Sequence, residues 1–397
     1  MKRATIESNR GKRRTARLAT ACAFALAGFA GAAAAGPTLT FGKEGSLTFN
    51  YSVQGWAQDR GYTSSSDSGR STDFFLRRNR LTFSGQYNDL VGFYANLDAP
   101  ADSRGGDDDK SIFFRDAYIT VDHSDAMRFI VGRFKNTFTR ENLEACFDAL
   151  TMDRAEVISY TPWGGSRDTG VAMWGNLADA KFQYRVMASD GREGNEVVKD
   201  SPRLTARVHV SLLDPEYDFG YRGTYLGTRR VLTIGAAYDY QQKVAYGDFV
   251  GKDDAKDTKA WTADIFYEQP TAAGTITASA AVMRRDTGKA HFGLSPDPNL
   301  PTTTDLEGWY VKAGYLLPSK IGPGRLQVFG RHERSEYNLP LGYRDQKWDG
   351  VGFHYLIDGQ LLKLSFEYAD VRFDVQNPVN PSQRDYKQYS LGLQFIF

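Results

Sequence analysis

The chain has 397 residues, with 49 Lys and Arg against 48 Asp and Glu, 39 Gly, 22 Tyr, 25 Phe and only 2 Cys. Beyond the N-terminus no apolar run approaches the ~18 residues of a membrane-spanning helix, which excludes a helical membrane protein. Two cysteines exclude a disulfide scaffold or a cysteine-built zinc module, and a near-neutral chain without a basic block is not a nucleic-acid binder.

The first 35 residues read as an export signal. Seven basic residues (Lys2, Arg3, Arg10, Lys12, Arg13, Arg14, Arg17) precede an apolar stretch at 18–30, and Gly31-Ala32-Ala33-Ala34-Ala35 supplies small residues for cleavage after about Ala35. Removing seven basic residues and Glu7 leaves 42 basic and 47 acidic residues, a net charge of −5, and a single cysteine, Cys146.

From residue 45 onward the chain alternates with period two. Sixteen segments are predicted as strands: 45–58, 72–86, 89–99, 112–123, 126–136, 168–178, 180–190, 202–213, 230–242, 258–269, 272–286, 304–317, 324–335, 344–358, 360–373 and 384–397. In 202–213, Leu204, Ala206, Val208 and Val210 alternate with Arg203, Thr205, Arg207, His209 and Ser211. In 384–397, Tyr389, Leu391, Leu393, Phe395 and Phe397 share one parity. Many segments run about ten residues, the length of a tilted membrane-spanning strand. The connections alternate long and short, with 214–229 and 318–323 breaking the rule. An even number of strands with alternating long loops and tight turns predicts an all-β fold: a transmembrane antiparallel β-barrel of about 16 strands, termini periplasmic and long loops outside. A soluble sandwich of this size would need an unusually large core. Trp56, Tyr94, Trp174, Tyr240, Trp261, Trp309, Tyr315 and Tyr368 lie near strand ends, as interfacial girdles require.

A sixteen-stranded barrel is too wide to be filled by its own side chains, so selectivity calls for a constriction. The third long loop, 137–167, is the candidate. Within 140–150, Leu143, Phe147 and Leu150 have helical spacing and predict a short helix packed on the inner wall. Arg140, Glu141, Glu144, Asp148, Asp153, Arg154 and Arg167 would then face the pore. On the wall itself, parity assigns ten cations inward: Arg78, Arg80, Lys181, Arg185, Arg203, Arg207, Lys312, Arg325, Arg331 and Lys363. The inward acids are Asp116, Asp122, Asp239, Asp264, Glu268, Glu333 and Glu367. Rings of arginine favour anions because a low-dielectric wall focuses their field. Parity does not settle the direction of Arg133 and Lys135.

Several stretches carry a family likeness: Phe75-Leu76-Arg77-Arg78, Phe93-Tyr94-Ala95-Asn96-Leu97-Asp98, Phe114-Arg115-Asp116-Ala117-Tyr118-Ile119, Val131-Gly132-Arg133-Phe134-Lys135-Asn136-Thr137-Phe138, Leu143-Glu144 and Met152-Asp153-Arg154. In these the chain resembles the phosphate-selective porin O/P family. The resemblance implies a sixteen-stranded, usually trimeric channel with its third external loop folded inward. The closing Phe395-Ile396-Phe397 resembles the C-terminal signature that the barrel-assembly machinery reads, placing the protein in the bacterial outer membrane.

The expected function is passive diffusion of small hydrophilic solutes with a mild preference for anions, phosphate among the candidates. Expected partners are outer-membrane lipid and lipopolysaccharide (Asp107-Asp108-Asp109 could hold a bridging divalent cation), with no nucleic acid. The rival reading is a barrel that sheathes an electron-transfer cytochrome. No cofactor is expected. The five histidines (His123, His209, His291, His332, His354) are scattered and show no metal spacing. A catalytic barrel needs a Ser/His or Asp/His set, and G-x-S-x-G is absent, so no enzyme is expected.

Overall fold

The computed structural model describes residues 36–61, 69–99, 111–155, 166–193, 199–248, 251, 253–288, 305–337, 344–378 and 383–397. The expected signal and Asp107–Asp109 lie outside them. The strands are β1 (Thr38–Phe41), β2 (Gly45–Gly61), β3 (Arg70–Gln86), β4 (Val91–Asp98), β5 (Phe113–Ser124), β6 (Met127–Lys135), β7 (Arg167–Leu177), β8 (Phe182–Ser189), β9 (Arg203–Ser211), β10 (Val231–Asp248), β11 (Asp253–Thr271), β12 (Gly274–Asp286), β13 (Leu306–Ile321), β14 (Gly324–Tyr337), β15 (Gln346–Asp358), β16 (Leu362–Phe373) and β17 (Tyr386–Ile396). Strands β2 to β17 pair antiparallel in chain order, and β17 pairs back onto β2, with Ile396 opposite Ser52 and Gln388 opposite Arg60. The sixteen long strands therefore form a closed antiparallel barrel, the only way a sheet can leave no polar edge in lipid.

The burial pattern inverts that of a soluble protein. In β9 the polar row from Arg203 to Ser211 is buried, while Leu204 and Val208 are exposed. In β17, Leu391, Leu393 and Phe395 are exposed. Apolar residues out and polar residues in is the pattern of a barrel bathed in lipid.

Several details depart from the sequence reading. The four-residue β1 was not foreseen; it folds back on β2 with Thr38 opposite Thr48. It lies on the same edge of β2 as β17, end to end with it, since Phe49 N donates to Pro37 O and Tyr51 N to Phe397 O. Trp56 and Trp174 are buried, not part of an outer girdle, and Tyr94 stacks on Tyr118 with 5.1 Å between centroids. Trp56 shares its parity with Gln54 and Gln58, and that parity outweighs its position near a strand end. Trp261, Trp309 and Tyr315 do face outward. The 318–323 connection is a tight turn after all, because β13 continues to Ile321 past a register shift.

Two further register shifts matter for the interior. Between Gln54 and Gly55 the pairing to β3 skips one residue, Arg77. Between Asn96 and Leu97 the pairing to β5 skips Arg115. A bulge places two consecutive side chains on one side of a sheet. Arg77 thereby joins Arg78 inside, and Arg115 joins Asp116.

Gly132 in β6 has φ +132°, and a Cβ there would meet the Ala117 carbonyl oxygen and Tyr118 Cα on β5. Gly132→Ala is therefore expected to lower the yield of folded barrel sharply. The readout is the fraction that migrates as the compact form on an unheated SDS gel; a wild-type fraction would refute the close-approach argument.

Candidate functional site

The candidate site is built from the polar rows of the wall and from residues 136–155, which hydrogen-bond to them. Thr139 caps a single helical turn, α1 (Arg140–Leu143), its hydroxyl accepting from Asn142 N at 3.0 Å. The helix expected to run to 150 stops there. Glu144 turns extended, and the chain pairs with another segment instead: Ala145 N donates to Tyr221 O at 2.9 Å, and Tyr221 N to Leu143 O at 3.2 Å. A tertiary backbone partner outweighs the local helical pattern, since an isolated helix of this length is marginal.

Residues 144–155 then hydrogen-bond to the polar rows of distant strands. Phe147 O accepts from Lys363 Nζ at 2.8 Å and from Gln394 Nε2 at 3.2 Å. Met152 N donates to Glu367 at 3.3 Å. Asp153 takes Arg77 Nε at 2.8 Å and Arg78 Nη2 at 2.7 Å. Arg154 O accepts from Arg331 at 3.2 Å. Glu141 accepts from Ala155 N at 2.6 Å and pairs with Lys312. Met152 also packs with Trp56, Phe75 and Phe329. Arg140, Glu141, Glu144 and Asp148 are all buried.

The wall cations divide into two groups. On β9–β16 four have a matching acid: Arg203 with Asp239 at 2.8 Å, Arg207 with Asp264 at 2.7 Å, Lys312 with Glu141, and Arg331 with Glu333 at 3.1 Å and Glu367 at 2.6 Å, whereas Lys363 and Arg325 donate to backbone carbonyls. On β3–β7 the balance differs. Arg80 and Arg115 share Asp98 at 3.2 and 2.9 Å, Arg77 and Arg78 share Asp153, and Arg167 takes Asp116 at 3.0 Å. Lys135 Nζ has only the carbonyls of Leu143 and Glu144, at 3.2 and 2.7 Å. Arg154 Nη2 meets the Glu144 carbonyl at 3.0 Å and Cys146 Sγ at 2.9 Å. Five of these seven cations share three carboxylates, and Lys135 and Arg154 bond to carbonyls and to Cys146 instead. Burial pushes the Cys146 thiol up, but Arg154, Arg78, Arg80 and Lys135 more than offset it and hold the thiol well below its ordinary range.

Of the cations assigned inward from sequence, Arg78, Arg80, Arg185, Arg203, Arg207, Lys312, Arg331 and Lys363 are buried on the polar face. Arg325 is partly buried and donates to Leu317 O at 3.1 Å. Lys181 is a correction: it lies in the turn before β8 and is exposed, because the strand begins one residue later. Arg167 is another: it opens β7 rather than closing the loop. Arg133 is exposed on the outer side, whereas Lys135 turns in. Parity missed Arg77 and Arg115, although two adjacent charged residues in a strand (Arg77-Arg78, Arg115-Asp116) already signal a bulge. It also missed Glu216 and Tyr221, whose only sign was the overlong 214–229 connection.

The family model described as "Phosphate-selective porin O and P" matches residues 49–397. An uncharacterized protein of Aquifex aeolicus is 22% identical over 370 residues, 85% of this chain and 83% of that protein. Among solved structures, OmpF of Salmonella typhi in complex with daunomycin aligns with TM-score 0.60 at 14% identity, over 90% of this chain and 99% of that one. An anion-selective porin from Comamonas acidovorans aligns at 0.59 and 9% identity, over 89% and 100%. The outer-membrane channel DcaP of Acinetobacter baumannii aligns at 0.56 and 14% identity, over 90% and 99%. At these identities the structures speak for the barrel fold.

Proposed function

The chain belongs to the phosphate-selective porin O and P family, outer-membrane porin channels, and we propose that this channel passes small hydrophilic solutes with a preference for anions. Residues 136–155 act in this reading as the constriction, folded into the bore as the third external loop. One observation carries it: seven cations against three carboxylates around Cys146, on and beside the wall formed by β3–β7. A net positive wall of low dielectric raises the local anion concentration and opposes cations. Phosphate is one anion such a wall would accept.

The matched pairs on the opposite wall narrow the role of the sequence-assigned cations. Arg203, Arg207, Lys312 and Arg331 hold structure, and the field arises from Arg77, Arg78, Arg80, Arg115, Lys135, Arg154 and Arg167. The cytochrome-sheath reading is the weaker one, since residues 136–155 take up interior space that a sheathed protein would need.

The test is the reversal potential of the refolded barrel in a planar bilayer under a KCl gradient. Chloride preference is expected; a cation-favouring potential would refute the anion reading.

Association of copies follows from the low wall. Strands β4 and β8 have 8 residues each. At about 3.3 Å per residue and a tilt of about 40°, such a strand rises roughly 20 Å, short of an apolar band of ~25 Å. Exposed Ile119, Val131, Val171 and Val186 line this side. A homotrimer that places the low wall at its centre would shield it, and chemical cross-linking in detergent should give a three-rung ladder. The expected periplasmic termini, removal of residues 1–35 and recognition of Phe397 by the assembly machinery belong to the same proposal.

A further inference from the structure

The connection between β9 and β10 lies at the end of the barrel where the other turns are tight. Its residues nevertheless reach deep among the inward rows. Glu216, Tyr221 and Thr224 are 1%, 0% and 1% exposed. Phe219 packs edge-on against Trp174 and Phe134 at 5.6 and 6.2 Å between centroids. Glu268 holds the far side, accepting from Thr224 Oγ1 at 3.0 Å, Tyr225 N at 2.8 Å and Gly227 N at 2.8 Å.

This segment meets residues 136–155 from below. Arg140 grips Glu216 through two parallel bonds of 2.8 Å, and Tyr225 OH adds a third at 2.6 Å. The Tyr221 backbone pairs with Leu143 and Ala145. At Gly223 the approach is backbone to backbone: a Cβ there would lie 2.7 Å from Leu150 N, 2.8 Å from Asp148 O and 2.9 Å from Ala149 Cα. Only glycine permits that distance.

The Tyr221 hydroxyl also gathers polar side chains of the wall. Arg185 Nη1 lies 2.7 Å from it, Arg207 Nε 3.2 Å, and His209 Nδ1 2.7 Å. Arg185 spends its remaining donors on Phe219 O, at 3.1 and 2.7 Å through Nε and Nη2. These two arginines are thus taken up by the segment before any solute could meet them.

We propose that residues 214–228 are a built-in strap that enters the bore from the short-turn end, clasps the third-loop segment through Glu216, Tyr221 and Gly223, and confines the solute path to the β3–β7 wall. The strap is a specificity element: it withdraws Arg185 and Arg207 from the path and leaves the cluster around Cys146 to set the charge that solute meets. The inference rests on the channel reading above and deepens it.

The test replaces residues 216–225 with a two-residue Asn-Gly turn and compares the refolded full-length mature barrel with wild type. Two readouts are taken: single-channel conductance, and the labelling rate of Cys146, the single cysteine of residues 36–397, by a negatively charged thiol reagent. A severalfold rise in conductance with faster labelling is expected. Gly223→Val is the second variant, usable if the shortened barrel does not refold; it should push 148–150 away and raise both readouts in the same direction. A folded variant of either kind with wild-type conductance and wild-type labelling overturns the strap. A silent wild type beside a conducting shortened barrel would support the strap while refuting the open-channel reading, so the two ideas fail separately.

Discussion

Neutralising Arg80 and Arg115 together, as Arg80→Gln with Arg115→Gln, is expected to abolish most of the channel's preference for chloride over potassium. Both guanidiniums lean on the single carboxylate of Asp98, so their removal cuts the cluster from seven cations to five against the same three acids. A unit charge about 6 Å from a passing ion is worth about 0.7 kcal/mol in water, roughly threefold in occupancy. It acts with opposite sign on potassium and chloride, so each lost charge lowers their ratio about tenfold before salt screening. The reversal potential should therefore fall towards zero at low salt and change less at high salt. The matched removal Arg203→Gln with Asp239→Asn leaves net charge unaltered and should leave the potential near wild type. Equal potentials in all three proteins would mean that the β3–β7 cluster does not set selectivity.

Acidity should act on the clasp between α1 and the β9–β10 connection from two sides. Glu216 is buried, which pushes its carboxyl up, but the Arg140 charge and its hydrogen bonds more than compensate and hold it down at about 2. A carboxylate with a lowered folded value stabilises the fold above its ordinary 4.5, and that contribution is lost as pH falls towards 2. Glu144 behaves oppositely. Burial and the neighbouring Glu141 charge push it up to about 7 in spite of Arg140. Its contribution is complete below 4.5 and is lost as pH rises through about 7. Both side chains are almost fully buried, and either shift corresponds to roughly 3 kcal/mol. The thermal unfolding temperature in detergent should therefore be highest near pH 4.5, declining towards pH 2 on the acid side and towards pH 7 on the other. Glu144→Gln is expected to flatten the alkaline limb and leave the acid limb in place. An unchanged alkaline limb in that variant would rule out Glu144 as its source.

The fold was legible because lipid imposes a rule that each residue obeys by itself. A side chain on a membrane-spanning strand faces either lipid or the bore, so Leu204, Val208 and Leu391 announce one face and Arg203, Arg207 and Ser390 the other, without knowledge of any partner. Strand limits such as Gly45–Gly61 and Leu362–Phe373 fall within three residues of those read from the pattern. The exceptions share one cause. Arg77 and Arg115 come inside because the neighbouring strand skips a residue, and a skip belongs to a pair of strands, not to one.

By itself, then, the sequence determined a sixteen-stranded barrel wall and which rows are polar, because period-two alternation is a local consequence of a two-solvent environment. Only the tertiary structure decided what the polar rows do. Whether Arg207 presents a free charge or spends it on Asp264 and Tyr221 depends on groups 57 and 14 residues away along the chain. The helical spacing of Leu143, Phe147 and Leu150 was overridden after one turn by backbone bonds to Tyr221. The overlong connection at 214–229 meets Arg140 through Glu216, 76 residues away along the chain. Charge compensation and backbone pairing across the bore are properties of distances, and distances across a closed barrel exist only when every strand is in register.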